Sequence, residues 1–186
     1  MLNIGLDFAF LGGRLNGTVE VYQKKTKDLI WSYPVPTTQY VFGSIDANVG
    51  EMTNKGIEVT LNAVPVRTKN FSWSTTVNLS HNKNRIDKMQ NDVFHTTNLT
   101  QGDPMVAGVS AYGWTQKIME GEPLGTFYTY QYAGTVNGHS EYYVLDENGN
   151  RTGETTNSPS LKDRSITGCA QPKLNAGWNN TLSYKN

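Results

Sequence analysis

NVGEMTNKGIEVTLNAVPVRTKNFSWSTTVNLSHNKN, residues 48–84, sets two alternating apolar and polar runs on either side of a short turn from Arg67 to Asn70. Ile57, Val59, Leu61, Ala63 and Pro65 share one face of the first run, and Phe71, Trp73, Thr75, Val77 and Leu79 one face of the second. Glu58, Thr60 and Asn62 take the opposite face of the first, and Ser72, Ser74, Thr76 and Asn78 that of the second. Successive strand side chains point to opposite faces, so a period of two gives each run an apolar and a polar side. With the turn at Arg67 to Asn70, Pro65 faces Phe71, Ala63 faces Trp73, Leu61 faces Thr75, Val59 faces Val77 and Ile57 faces Leu79. One continuous apolar face results, and a one-residue slip would destroy it, so register is strongly specified. The stretch reads as a hairpin of a membrane β-barrel.

A second hairpin precedes it. Leu2, Ile4, Leu6, Phe8 and Phe10 alternate with Asn3, Gly5, Asp7 and Ala9, and after a Gly12-Gly13 turn Leu15, Gly17, Val19 and Val21 alternate with Asn16, Thr18 and Glu20. Phe10 should face Leu15, Leu6 face Val19 and Ile4 face Val21. The second strand should continue to about Tyr33, where Pro34 and Pro36 end it. A fifth run closes the chain, with Leu174, Ala176, Trp178, Leu182 and Tyr184 on the apolar face and only Asn180 interrupting it.

The connections alternate in length: Leu11 to Arg14 and Arg67 to Asn70 are tight, whereas about 34–55 and 84–172 are long. Bacterial outer-membrane barrels have short periplasmic turns, longer extracellular loops, strands of about ten residues and aromatic girdles at both interfaces. Phe8, Phe10, Phe71, Trp73 and Tyr184 lie near the short-turn end, where a periplasmic girdle belongs. The expected fold is therefore all-β, with about five antiparallel strands of a transmembrane β-barrel and long extracellular loops. The alternative with the same alternation is a soluble extracellular β-sandwich that binds carbohydrate. The environment of Ile57, Val59, Leu61, Val77 and Leu79 separates the two: lipid-exposed in a barrel, buried between sheets in a sandwich.

Composition agrees with a polar-lined barrel. The chain has 186 residues, is 37% hydrophobic and carries 18 glycines, so half-polar strands and wet loops are in keeping with it. Sixteen basic and 16 acidic residues balance, with no basic run beyond Lys24-Lys25, which sets nucleic-acid binding aside. Cys169 is alone, so it has no intrachain disulfide partner. No apolar run approaches the length of a membrane helix, and MLNIGLDFAF lacks the basic-then-apolar pattern of a signal peptide. Both chain ends look cut, the first in mid-strand and the last where a tight turn should follow.

Four separated segments, RLNGTVEVYQKKTKDLIWSYPVP, the 48–84 stretch, GTFYTYQYAGT and QPKLNAGWNNTLSYKN, together resemble the C-terminal part of SusC/RagA-type TonB-dependent outer-membrane transporters of the Bacteroidetes. That resemblance implies a 22-stranded barrel with an N-terminal plug. It further implies import of glycan or peptide oligomers, energy from the TonB complex and a SusD-like surface lipoprotein as lid. The whole of 1–186 then belongs to the barrel domain, without plug or TonB-box segment, and TonB contact resides in parts outside this chain.

Sites of chemistry are sparse. His81, His95 and His139 are far apart and outside any metal-binding spacing, and they read as loop or surface histidines. Asp146-Glu147-Asn148-Gly149-Asn150 lacks the spacing of a calcium loop and reads as a turn. With no nucleophile elbow, phosphate loop or paired carboxylates, the expected role is transport rather than catalysis, with no cofactor or metal. Asp7, Glu20, Glu58, Thr60, Asn62, Thr76, Asn78, Asn175 and Asn179 should line the polar lumen. Phe127 to Tyr132 forms an aromatic cluster in the long second loop, with Trp114 upstream. Flat rings with polar handles suit sugar faces and protein interfaces. Trp114, Tyr128, Tyr130 and Tyr132 are accordingly the candidate contacts to ligand or lid. The plainer expectation is a small hairpin folding the loop on its own aromatic side chains.

Overall fold

A computed structural model describes residues 1–93, 96, 98–101 and 114–185. The chain divides into two units, one formed by Met1–Asp87 with Pro172–Asn186 and the other by Lys88–Gln171. The first is a five-stranded antiparallel sheet in the order β1-β2-β3-β4-β12. Its strands are β1 (Leu2–Phe10), β2 (Leu15–Pro34), β3 (Ser44–Arg67), β4 (Phe71–Lys88) and β12 (Asn175–Tyr184).

The first hairpin has the register its alternation demands. Phe10 pairs with Leu15, Leu6 with Val19 and Ile4 with Val21. Three consecutive residues at its turn, Leu11, Gly12 and Gly13, have positive φ, which explains two glycines there: a Cβ in that region strains the backbone. β2 then pairs with β3 so that Val19 faces Val59 and Val21 faces Ile57, extending the apolar face by one strand. Between β3 and β4, Thr60 bonds Asn78 at 3.0 Å and Thr76 bonds Asn62 at 2.8 Å, so the even-numbered residues of both strands share the polar face. β12 adds Trp178 opposite Val77 and Leu182 opposite Trp73.

This apolar face is not a core. Trp178 is 74% exposed and Ile4 and Leu182 are 65% exposed. None of Ile57, Val59, Leu61, Val77 and Leu79 is buried. Among the described residues the buried apolar side chains are Tyr33, Val49, Ile86, Met89, Ile118 and Leu145, all outside the alternating segments. A sandwich would bury this face against a second sheet. The carbohydrate-binding sandwich is therefore not favoured: the face lies open, as the lipid-facing side of a barrel wall does.

Two polar residues on the apolar face are matched to the two tryptophans there. Asn180 lies opposite Thr75. Trp73 Nε1 donates to Asn180 Oδ1 at 3.0 Å, and Trp178 Nε1 donates to Thr75 Oγ1 at 2.8 Å. Each indole N–H thereby finds an acceptor where lipid offers none. Elsewhere aromatic rings cover glycines on neighbouring strands. Phe8 lies across its partner Gly17, and Tyr22 across its partner Gly56, where an added Cβ would come within 2.5 Å of the phenol ring.

Strand pairing reaches further than the alternation indicated. β3 begins at Ser44 and β4 runs to Lys88, into the spans expected to be loop. Backbone hydrogen bonds need no apolar periodicity, and pairs such as Trp31 with Ala47 and Tyr33 with Ile45 continue the ladder beyond register shifts near Thr26 and Leu29. The second unit is likewise not structureless. It contains β5 (Asn98–Gln101), β6 (Gln116–Met119), β7 (Thr126–Tyr130), β8 (Tyr132–Val136), β9 (His139–Leu145), β10 (Arg151–Thr156) and β11 (Arg164–Cys169). These form one sheet in the order β11-β7-β6-β5 and another in the order β10-β9-β8.

Two substitutions test these assignments in the full-length barrel refolded into vesicles. Leu61→Arg, at the middle of the apolar run, should cost about 2 to 4 kcal/mol in urea unfolding. Gly56→Val should destabilise by about 1 to 3 kcal/mol, because the added side chain would meet both the Tyr22 ring and, at 2.7 Å, the backbone oxygen of His81.

Candidate functional site

The polar face of the five-stranded sheet is cross-linked by its own side chains. Asn62 Nδ2 donates to Asn16 Oδ1 at 3.1 Å while its Oδ1 accepts from Thr76 at 2.8 Å, so one asparagine joins β2, β3 and β4. Higher up, Tyr22 donates to Asn82, and Asn82 donates in turn to Asn54. Glu20 lies directly opposite Glu58, and Asn3 donates to Glu20 at 3.3 Å. The face holds Asn, Thr, Ser and carboxylate groups in layers, suited to hydrating a polar solute.

In the second unit the aromatic cluster is shared between two sheets. β7 carries Phe127, Tyr128 and Tyr130 and pairs with β6 and β11, whereas β8 begins at Tyr132 and pairs with β9. The single hairpin expected for this segment is thus corrected. Gln131 sits at the break, where neither ladder takes it. Its carbonyl accepts the Tyr143 N–H at 3.0 Å and its Oε1 accepts Arg151 Nε and Nη2 at 2.9 and 2.6 Å. Its Nε2 donates to Ser165 at 2.7 Å. The Gln131 side chain therefore ties β10 and β11 to the joint between β7 and β8, and its backbone carbonyl ties in β9.

Around that joint the candidate residues separate. Trp114 and Tyr128 line one cavity of about 240 Å³ with Asn98, Thr100, Gln116, Lys117, Leu161 and Arg164. Lys117 Nζ stands 4.4 Å from the centre of the Tyr128 ring. Arg164 donates to the Trp114 carbonyl and lies 5.5 Å from the Tyr130 ring. Tyr130 is outside the cavity lining and meets Tyr142 edge-on at 5.9 Å. Tyr132 is on the other sheet, 59% exposed, its hydroxyl 2.6 Å from that of Thr135. Sequence reasoning missed Lys117, Arg164, Arg151 and Gln131, because nothing local marks them; distant pairings bring them to the rings. His95 lies outside the described residues, and among those described no group of His, Cys, Asp or Glu is arranged to hold a metal.

Two aspartates fix the connections of this unit. Asp146 turns β9 into β10, its Oδ1 accepting the N–H groups of Asn148 and Asn150 at 2.9 and 2.8 Å, with Gly149 at positive φ. The Asn150 N–H, the largest influence, holds this carboxyl below its ordinary value. The segment is the turn its Asn and Gly content indicated. Asp163 is 3% exposed and accepts the Ser160 N–H and hydroxyl at 2.8 and 2.7 Å and the Leu145 N–H at 3.2 Å. Burial alone would raise its pKa, but the Ser160 and Leu145 donors outweigh it and hold the carboxyl below the ordinary value.

An antiparallel sheet with a lipid-facing outside, a hydrogen-bonded polar inside and alternating short and long connections defines the wall of a transmembrane β-barrel of the bacterial outer membrane. Residues 2–184 match the family described as TonB dependent receptor-like, beta-barrel, and the chain belongs to that family. It is 34% identical over 206 residues to TonB-dependent receptor P3 of Formosa agariphila, covering 100% of this chain and 19% of that relative. It is also 34% identical over 151 residues to TonB-dependent receptor SusC of Bacteroides thetaiotaomicron, covering 81% of this chain and 15% of SusC. The solved structure of the RagAB peptide transporter matches 98% of the chain and 19% of that protein, with a TM-score of 0.76 and 25% identity. The chain thus spans less than a fifth of the length of these relatives. The first two are described as TonB-dependent receptors and the third as a peptide transporter.

Because the folded Asp163 carboxyl has the lower pKa, its contribution to stability is complete above the ordinary value of about 3.8 and is lost as pH falls through the folded value. Amide exchange at Leu145 and Ser160 should accelerate across that acid window. Asp163→Asn should remove this pH dependence and cost about 1 to 3 kcal/mol near neutrality.

Proposed function

We propose that the chain forms part of the wall and outer rim of a TonB-dependent importer of oligomeric nutrients, glycans or peptides, working with a SusD-like surface lipoprotein. The observation that carries this reading is the sheet itself, apolar and exposed on one side and cross-linked by Asn, Thr and Tyr on the other. A wall of that kind encloses a wet lumen. The likeness to SusC and to the RagAB peptide transporter supports import as its use. Energy coupling through the TonB complex belongs, in this reading, to other parts of the receptor.

Residues 1–186 are a portion of the barrel domain, with 34–55 and 84–172 on the extracellular side. The role is transport and not catalysis. Trp114 and Tyr128, together in one cavity, are the leading contacts to ligand or lipoprotein, with Tyr130 and the exposed Tyr132 as further contacts. A flat indole beside Asn98, Thr100 and Gln116 offers both a stacking face and hydrogen-bonding groups to an oligomer.

The test is uptake of the receptor's own oligomer by cells carrying variants of the full-length protein. Trp114→Ala with Tyr128→Ala should reduce uptake or lipoprotein association about tenfold at equal barrel abundance, as loss of one anchoring contact would. Unchanged uptake and unchanged association in a variant also lacking Tyr130 and Tyr132 would remove these residues from the site.

A further inference from the structure

Lys55 and Lys83 occupy a specific tier of the lipid-facing side. Lys55 shares the face of Ile57, Val59 and Leu61, and Lys83 that of Val77 and Leu79. Their neighbours on the opposite face prove the assignment. Asn54 Oδ1 accepts from Asn82 at 3.2 Å and from Asn84 at 2.9 Å on the lumen side, so the residues between them in sequence point outward. The same two bonds bring Asn54 beside the Asn82 to Asn84 segment. Lys55 and Lys83 are therefore cross-strand neighbours, both exposed.

Their height is set by the apolar band. Lys55 stands one side-chain repeat above Ile57, about 7 Å along the strand. That is the long-connection end of the strands, hence the outer leaflet. Just above, the outward charges are already matched: Lys25 pairs with Glu51 at 2.6 Å and Arg85 with Asp87 at 2.7 Å, with Thr53 also donating to Asp87. Lys55 and Lys83 take part in neither pair. Like charges side by side across strands are destabilising unless an anion lies between them.

We propose that Lys55 and Lys83 seat the phosphate of an anionic lipid headgroup in the outer leaflet. The acyl chains of that lipid lie along the band formed by Ile57, Val59, Leu61, Val77 and Leu79, and the two ammonium groups reach up from it to the phosphate. Phosphate neutralises the cross-strand repulsion, and the Lys25–Glu51 and Arg85–Asp87 pairs close the tier from above. A lipid source is favoured over a soluble phosphate because the cations adjoin the lipid-facing band directly.

The experiment uses the full-length receptor in nanodiscs containing either bis-phosphorylated lipid A or its dephosphorylated form in a phosphatidylcholine background. Lipid retained per barrel after mild delipidation is counted by native mass spectrometry. The wild type should retain the phosphorylated form preferentially, each Lys→Gln change should weaken retention about fivefold, and Lys55→Arg with Lys83→Arg should preserve it. Lys69→Gln, at the short-turn end, should leave it unchanged. Equal retention of the two lipids by the wild type overturns the proposal, as does undiminished retention by Lys55→Gln with Lys83→Gln, or full displacement of the lipid by millimolar inorganic phosphate. Should the glutamine variants fail to fold, the wild-type preference and the arginine variants still decide the matter.

Discussion

Inside a bilayer no water satisfies a backbone N–H or C=O, so every strand segment that crosses must give its hydrogen bonds to a neighbouring strand. The five-stranded sheet is built on that requirement. Its ladders run without register shift through the alternating segments of β1 with β2 and of β4 with β12, and the shifts between β2 and β3 come only beyond Thr26. Irregularity is confined to the part of the strands where water is available. The edges, β1 and β12, are the positions at which a barrel continues pairing.

The same shortage of partners governs side chains. On the lipid face Asn180 and Thr75 would be liabilities alone, yet they face one another and each accepts an indole N–H from Trp73 or Trp178. On the lumen face, where polar groups meet water, Asn16, Asn62 and Thr76 still bond one another across three strands. Those bonds hold lumen side chains against the wall. Aromatic rings laid over Gly17 and Gly56 fill the places where a side chain is missing. Interior, exterior and backbone thus obey one rule, applied to different surroundings.

The second unit answers to ordinary aqueous physics. Its strands are short, its few buried side chains include Ile118 and Leu145, and its connections are held by Asp146 and Asp163 accepting backbone donors. Gln131 joins separate ladders that otherwise have no reason to meet. The cation-over-ring contacts of Lys117 and Arg151, at 4.4 and 4.0 Å, add to that junction. The cavity beside Trp114 and Tyr128 is a product of this arrangement.

The alternation of Ile57 to Pro65 and Phe71 to Leu79 was enough to define strands, faces and an outside made for lipid, because a period of two admits one way to segregate apolar from polar groups. The first hairpin's register followed equally, from a glycine turn and two patterned runs. Outside the membrane that pattern fades, since both strand faces meet water and backbone pairing leaves no trace in side-chain polarity. That is why the extensions of β3 and β4 were read as loop. Trp114 and Tyr128 stood out as aromatics of the long second loop, but their union with Lys117 and Arg164, and the separation of Tyr132 onto another sheet, depend on pairings between residues far apart in sequence. Local sequence determined which faces exist; only long-range strand pairing decided which side chains meet across them.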